Sequence, residues 1–304
     1  MTDAVAAVDC GSNSTRLLIA GPEGSYAREM RITRLSQGVD ASRTLIAPAL
    51  ERTYAVLDEY RAIMDRYGVT RGLLVATSAV RDAANGAAFI AEAGRRTRLD
   101  ARILSGQEEA SLSFAGATAD LDPVNVPTLV VDVGGGSTEL AARVDDHLES
   151  FSMQLGCVRI SERALGSGVV TAPAARAARE MIDAELDRAF AEVPGFARLR
   201  GTLRMVGLAG TVATLAQMDA QLAAYDRDVV HHRTLAREVV VRWRDRLGAE
   251  TPEQRLTHLG MMRGREDVLV GGLYVLDAVM ERFGARELLS SESDILDGIV
   301  ASLR

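Results

Sequence analysis

The chain has 304 residues, 47% apolar and 25% charged, the make-up of a globular protein with room for two full cores. A net charge of −7 argues against nucleic acid as a partner, and two cysteines cannot build a disulfide framework. All 35 basic residues are arginine, which removes P-loop and Schiff-base lysine chemistry.

No apolar run is long enough to cross a membrane. The N-terminus lacks a basic leader and enters a strand almost at once, so a cytoplasmic home with no membrane partner is expected. In chain order, apolar segments 4–8 and 15–20 predict a strand pair. Helical spacing predicts a helix over 48–67. A buried strand at 72–77, a helix at 87–94, a short strand at 101–104 and a helix at 107–117 follow. The segment 120–127 is polar, carries Pro123 and Pro127, and reads as a linker. Strands are then expected at 128–132, 138–144 and 148–153, a long helix at 173–192, and a strand at 202–206. The remainder reads as helical, roughly 212–222, 234–246, 252–258, 266–283 and 293–303. Alternating strands and helices place the chain in the α/β class, with domains at 1–121 and 122–304.

Near-repeats stand about 120 residues apart in sequence. Asp9-Cys10-Gly11-Ser12-Asn13-Ser14 and Asp132-Val133-Gly134-Gly135-Gly136-Ser137-Thr138-Glu139 each follow an apolar run. In both, an Asp at a strand end precedes small residues whose bare amides can form an anion nest. Asp9 could hold a divalent ion or its waters. An ordinary hairpin is the alternative for the first loop, and a glycine-rich hairpin for the second. Glu139 lies seven residues after Asp132, across the turn, where both carboxylates could reach one site. Two copies suggest two similar domains facing each other across a cleft.

Gly207-Leu208-Ala209-Gly210-Thr211 again joins a strand to a helix, where a phosphate or close helix–sheet packing would each suit small residues. Arg81 could hold a phosphate by its forked donors, or be solvated. Glu108 and Glu109 are helical neighbours about 100° apart, so only one of them can face a cleft, and that one could act as a general base. His231-His232 and His258 lack zinc spacing and read as surface or capping residues. Cys10 lacks the loop of a thiol phosphatase.

At these motifs, and at Ala76–Asn85, Ser105–Ala110 and Gly156-Cys157, the chain resembles the exopolyphosphatase / guanosine pentaphosphate phosphohydrolase family, in family order over nearly its whole length. The resemblance implies two ribonuclease-H-like domains of the actin / sugar kinase / Hsp70 superfamily around a central cleft. It implies that residues from about 290 pack back on the first domain, and that a homodimer is one assembly state. It assigns Glu109 as the base that activates water. Asp9, Asp132 and Glu139 would hold magnesium, with manganese as the alternative, or the attacking water. Gly11, Ser12, Asn13, Ser14, Arg81, Gly134, Gly135, Gly136, Ser137, Gly210, Thr211 and Arg265 would bind phosphates. Two departures stand out. The chain stops before the helical C-terminal domain of long members, and Leu296 stands where many members carry arginine.

Four acidic side chains facing a polyanion need a cation between them. Two unit charges at 4 Å repel by about 4 kcal/mol at an effective dielectric of 20. With the substrate class that the resemblance implies, the expected reaction is metal-dependent release of the terminal phosphate of inorganic polyphosphate. Alternatives are hydrolysis of guanosine pentaphosphate, an ATP-binding switch or kinase of the same superfamily, and a regulatory module with a decayed site.

Overall fold

Residues 3–304 are described by a computed structural model. They form two α/β units, one running to Gly116 and including Asp294–Arg304, the other being Ala117–Ser293.

In the first unit the alternating apolar segments become β1 (Val5–Cys10) and β2 (Ser14–Gly21), followed by β3 (Gly24–Ile32), β4 (Arg71–Ala76) and β5 (Asp100–Ile103). Sheet order is β3-β2-β1-β4-β5, with β2 antiparallel to both β1 and β3, and β4 and β5 parallel to β1. The central β1 is buried at every residue, which its run of small apolar side chains permits. One face of it (Ala6, Val8, Cys10) packs with Leu57, Tyr60 and Met64 of the helix Ala47–Arg66 and Phe89 of the helix Gly86–Thr97. The other face (Val5, Ala7, with Leu18 and Val75) is covered by Ile295, Leu296, Ile299 and Val300 of the helix Ile295–Leu303. That helix crosses the helix Gly106–Thr118 backbone to backbone. A Cβ on Gly298 would lie 2.1 Å from the Leu112 carbonyl oxygen, and one on Gly116 1.9 Å from that of Asp294. The β3 strand is absent from the sequence expectation because it is a charged edge, with Arg28, Glu29 and Arg31 breaking the apolar alternation.

The second unit repeats the plan with β6 (Thr128–Val133), β7 (Thr138–Val144), β8 (His147–Met153), β9 (Arg204–Leu208), β10 (Thr234–Ala236) and β11 (Glu287–Ser290). Its order is β10-β11-β9-β6-β7-β8. Taken from β8, the first five strands reproduce the first sheet in order and direction, and β10 is an added antiparallel edge. Both units thus have the ribonuclease-H-like arrangement. The core lies between Leu129, Val131 and Leu140 of the sheet and Ile182, Leu186, Leu276 and Phe283 of the helices Ala172–Glu192 and Leu269–Phe283. Residues 234–236, expected as helix, are strand because β11 offers them a partner, and the helix starts at Arg237. Among the described residues no helix is long and apolar enough to cross a membrane.

Among the described residues Arg255 is the largest fully buried side chain. Its guanidinium donates to the carbonyls of Leu247 (2.8 Å), Ser167 (2.8 Å), Glu266 (2.8 Å) and Gly168 (2.7 Å). Burial lowers its pKa, and backbone dipoles take the place of solvent around the charge. Arg255→Met would strand these carbonyls at about 1 kcal/mol each, a loss on the order of 3 kcal/mol or more in urea unfolding. A loss below about 1 kcal/mol would contradict the clamp.

Candidate active site

The carboxyl ends of parallel strands are where open α/β sheets place ligands. In the first unit β1, β4 and β5 end in register, Cys10 beside Ala76 and Ala76 beside Ile103. Their exit loops therefore share one rim. Gly11 closes the β1–β2 turn by donating its N–H to the Ser14 carbonyl at 3.0 Å, and a Cβ there would sit 3.1 Å from that oxygen. The carbonyls of Ser12 and Asn13 accept the amides of Ser36, Thr33 and Arg34. Ser12 Oγ lies 3.1 Å from Ser78 Oγ, tying this loop to the one after β4.

The turn sets Asp9 opposite Arg16 across the β1–β2 pair, and the guanidinium donates to Asp9 Oδ2 at 2.7 and 3.1 Å. Arg16 also pairs with Asp294, the N-cap of the last helix, and Arg28 continues the chain of charges to Asp297 at 2.6 Å. Burial nonetheless raises the Asp9 carboxyl above its ordinary range, against the pull of Arg16. Asp9 Oδ1, Asn13 Nδ2 and Arg81 Nη2 are buried without a hydrogen-bond partner. An acceptor and two donors left open on one rim are chemically suited to a cation and an anion.

Glu108 and Glu109 separate as helical geometry requires. Glu108 closes a capping box: its Oε2 accepts from Ser105 N and Oγ, both at 2.9 Å, and Ser105 Oγ accepts the Glu108 amide at 3.2 Å. The bonds from Ser105 and the Arg102 charge hold its pKa low. Glu109 is buried instead, with Oε2 3.6 Å from Arg81 Nη1. Arg81 is itself fixed by a 2.8 Å bond to the Leu104 carbonyl. It is therefore an anchored arginine rather than a solvated one.

In the second unit the same turn recurs. A Cβ on Gly134 would lie 2.9 Å from the Ser137 carbonyl, the counterpart of the Gly11 contact. Asp132 and Glu139 are direct partners across β6 and β7, and Glu139 is opposite Ser152 of β8. The two carboxylates are both buried. Oxygen donors of this kind suit a hard dication such as Mg²⁺ or Mn²⁺. The Gly134 and Gly135 carbonyls accept the amides of Cys157, Val158 and Arg159 at 2.9–3.2 Å. Gly156 must be glycine because a Cβ would meet those carbonyls at 2.4 and 2.7 Å. The Gly156-Cys157 motif is thus the support of the glycine loop, whose Gly136 and Ser137 are buried beside it.

Gly210 and Thr211 open the helix Ala209–Asp219, and the Arg265 guanidinium lies over Gly210, 1.8 Å from where a Cβ would be. An arginine at a helix start adds to the positive end of the dipole rather than cancelling it, so anions are favoured there. Sequence reasoning passed over Ser78 and Ser152. The Asp145-Asp146 turn, with φ of 48° and 64°, is a two-residue hairpin signal that fixes the β7–β8 register and would have placed Ser152 beside Glu139.

The doubled topology defines the class, a protein of two ribonuclease-H-like units. A model described as the Ppx/GppA phosphatase family matches residues 24–303, and the chain belongs to this family of hydrolases. It is 38% identical to Exopolyphosphatase 2 of Mycobacterium tuberculosis over 98% of both chains. Among solved structures it is similar to an exopolyphosphatase-like protein, with TM-score 0.89, 33% identity and 98% of both chains covered. It is also similar to the Aquifex aeolicus member of the Ppx/GppA family, with TM-score 0.78 and 26% identity over 99% of this chain and 97% of that one.

Three other sequence features resolve locally. Leu296 is a core residue on the covered face of the first sheet, with no polar atom to offer. Burial pushes the Cys10 thiol well above its ordinary range and raises that of Cys157, which leaves no ready thiolate. His231, His232 and His258 are buttressed, not solitary. His258 Nε2 pairs with Glu250 at 2.7 Å, and His231 and His232 stack with centroids 3.8 Å apart. His231 and His232 also share Asp120 in a grouping of ligand-like spacing. However, the Glu292 amide donates to His231 Nδ1 at 3.0 Å, so Nε2 carries the proton facing Asp120 Oδ2, also at 3.0 Å. A ring whose Nδ1 accepts a hydrogen bond carries its proton on Nε2, which then offers no metal-ready lone pair.

Protonating His231 at Nδ1 would expel the Glu292 N–H. Burial lowers its pKa below the ordinary 6.5, assisted by the charges of His232 and Arg227 and opposed by Asp120. The neutral ring belongs to the fold, so its contribution is complete above pH 6.5 and is lost as pH falls through the folded value. Between about pH 7.5 and about pH 5.5, His231→Asn should lose less melting temperature than wild type. Parallel calorimetric profiles would count against this role.

Proposed function

We propose that the chain releases the terminal phosphate of inorganic polyphosphate by attack of a water that Glu109 deprotonates. The observation that carries this reading is the division of labour at the start of one helix, where Glu108 is spent on the cap and Glu109 is buried beside an anchored arginine. A carboxylate so placed serves as a base, and Arg81 offers a buried N–H to a phosphate oxygen. The likeness to Exopolyphosphatase 2 supports polyphosphate as the substrate class.

On this reading Asn13 Nδ2, the amides of the β1–β2 turn, the glycine loop, Ser137, Gly210, Thr211 and Arg265 would bind phosphate. Asp9, through Oδ1, and Asp132 and Glu139 would hold Mg²⁺ or Mn²⁺. Such an ion supplies charge neutralisation for oxygens that become more negative as the phosphoanhydride breaks. Glu109 takes one proton from water, the oxygen bonds to phosphorus, and the shortened chain leaves with the bridging oxygen. No enzyme side chain is phosphorylated, in keeping with two cysteines held as thiols.

Glu109→Gln should keep the melting temperature and polyphosphate affinity while lowering kcat by about 10³-fold. Glu108→Ala should keep turnover and lose about 1 kcal/mol of stability. Phosphate release from polyphosphate of defined length, guanosine pentaphosphate and ATP, each with Mg²⁺ or chelator, is the assay. Full turnover by Glu109→Gln, or equal rates with chelator, would overturn the mechanism. Faster release from guanosine pentaphosphate would reassign the substrate.

A further inference from the structure

Ser152 lies one strand beyond the carboxylate pair and directly opposite Glu139. Its Oγ is 2.7 Å from Glu139 Oε1. Gln154 Nε2 approaches the same Oγ at 3.4 Å and the Ser152 carbonyl at 3.2 Å. Gln154 is pinned in turn, its amide donating to Glu185 Oε2 at 2.7 Å and its carbonyl accepting from Arg159 Nη1 at 3.1 Å. A side-chain amide N–H only donates, so Ser152 Oγ accepts from Gln154 and turns its single proton to Glu139. Donors lined up in this way polarise one another.

We propose that Ser152, backed by Gln154, is a positioning residue that fixes the rotation of the Glu139 carboxylate so that it can hold a divalent cation. This rests on the reading of Glu139 as a ligand. The hydroxyl bond uses one lone pair of Oε1 and sets the carboxylate plane of a buried side chain. Residues that orient metal ligands in this way change metal affinity by about 10–100-fold when removed. Ser152 itself touches neither substrate nor metal, so its effect is expected in cation affinity before turnover.

The test is titration of the full chain with Mn²⁺, read by the electron paramagnetic resonance of free Mn²⁺, on wild type, Ser152→Ala, Ser152→Thr and Glu139→Gln, with melting temperatures alongside. Ser152→Ala should bind Mn²⁺ about tenfold more weakly, and need correspondingly more Mg²⁺ for half-maximal phosphate release. Ser152→Thr, which keeps the hydroxyl, should restore affinity to within about threefold. Should the alanine variant not fold, Ser152→Cys takes its place as a poor donor of similar size. Wild-type Mn²⁺ affinity in Ser152→Ala or Ser152→Cys, beside a weakened Glu139→Gln, would overturn the positioning role and leave the ligand reading intact. Wild-type affinity in Glu139→Gln would overturn both. Equal weakening in the alanine and threonine variants would show a packing defect instead.

Discussion

Each unit depends on one tight hairpin at the carboxyl end of its central strand. The turn carries a glycine two residues after an aspartate, with the carbonyl three residues further on so near that a side chain would press against it. This fixes the register, and the register sets the residue seven positions on directly opposite the aspartate. In β1–β2 that residue is Arg16; in β6–β7 it is Glu139. A one-residue slip would turn both aspartates to the opposite sheet face.

The two hairpins therefore have one geometry and opposite electrostatics. The first neutralises its aspartate internally, and the pairing runs on through Asp294, Arg28 and Asp297 into the cap of the last helix. That helix, by covering the Asp9 face, links the sheet's buried charge to its apolar packing. The second hairpin sets two carboxylates directly opposite each other, a pairing that is destabilising between strands. Residues that break a local rule in an otherwise consistent fold are where functional or strained sites are expected. The glycines and arginine nearby point the same way, since they bring backbone and positive charge to the rim instead of side-chain bulk.

Much of this was legible in the sequence because it rests on short-range patterns. Apolar runs of strand length marked the central strands, and the Asp-plus-small-residue loops marked both hairpins. Neighbour geometry separated Glu108 from Glu109 in principle, though only the Ser105 cap decides which of them is buried. Strands β3, β10 and β11 were not legible. Charged β3 lacks an apolar alternation, and β10 and β11 are three and four residues long, ordered by partners distant in sequence. The side-chain pairings were also hidden. Nothing local tells that Arg255 is buried among carbonyls, or that Gly156 exists to admit the glycine loop.

The second unit is an insertion between Gly116 and Asp294 of the first. On the ribosome, Val5, Ala7 and Leu18 would stay bare until the segment 295–300 has been made, long after β1 and β2 can pair. The inserted unit is contiguous and can complete its own core while this face waits. Chaperone demand should therefore fall on the earlier half of the nascent chain, and a truncation that spares every loop residue of both rims but removes the last helix would leave an aggregation-prone sheet.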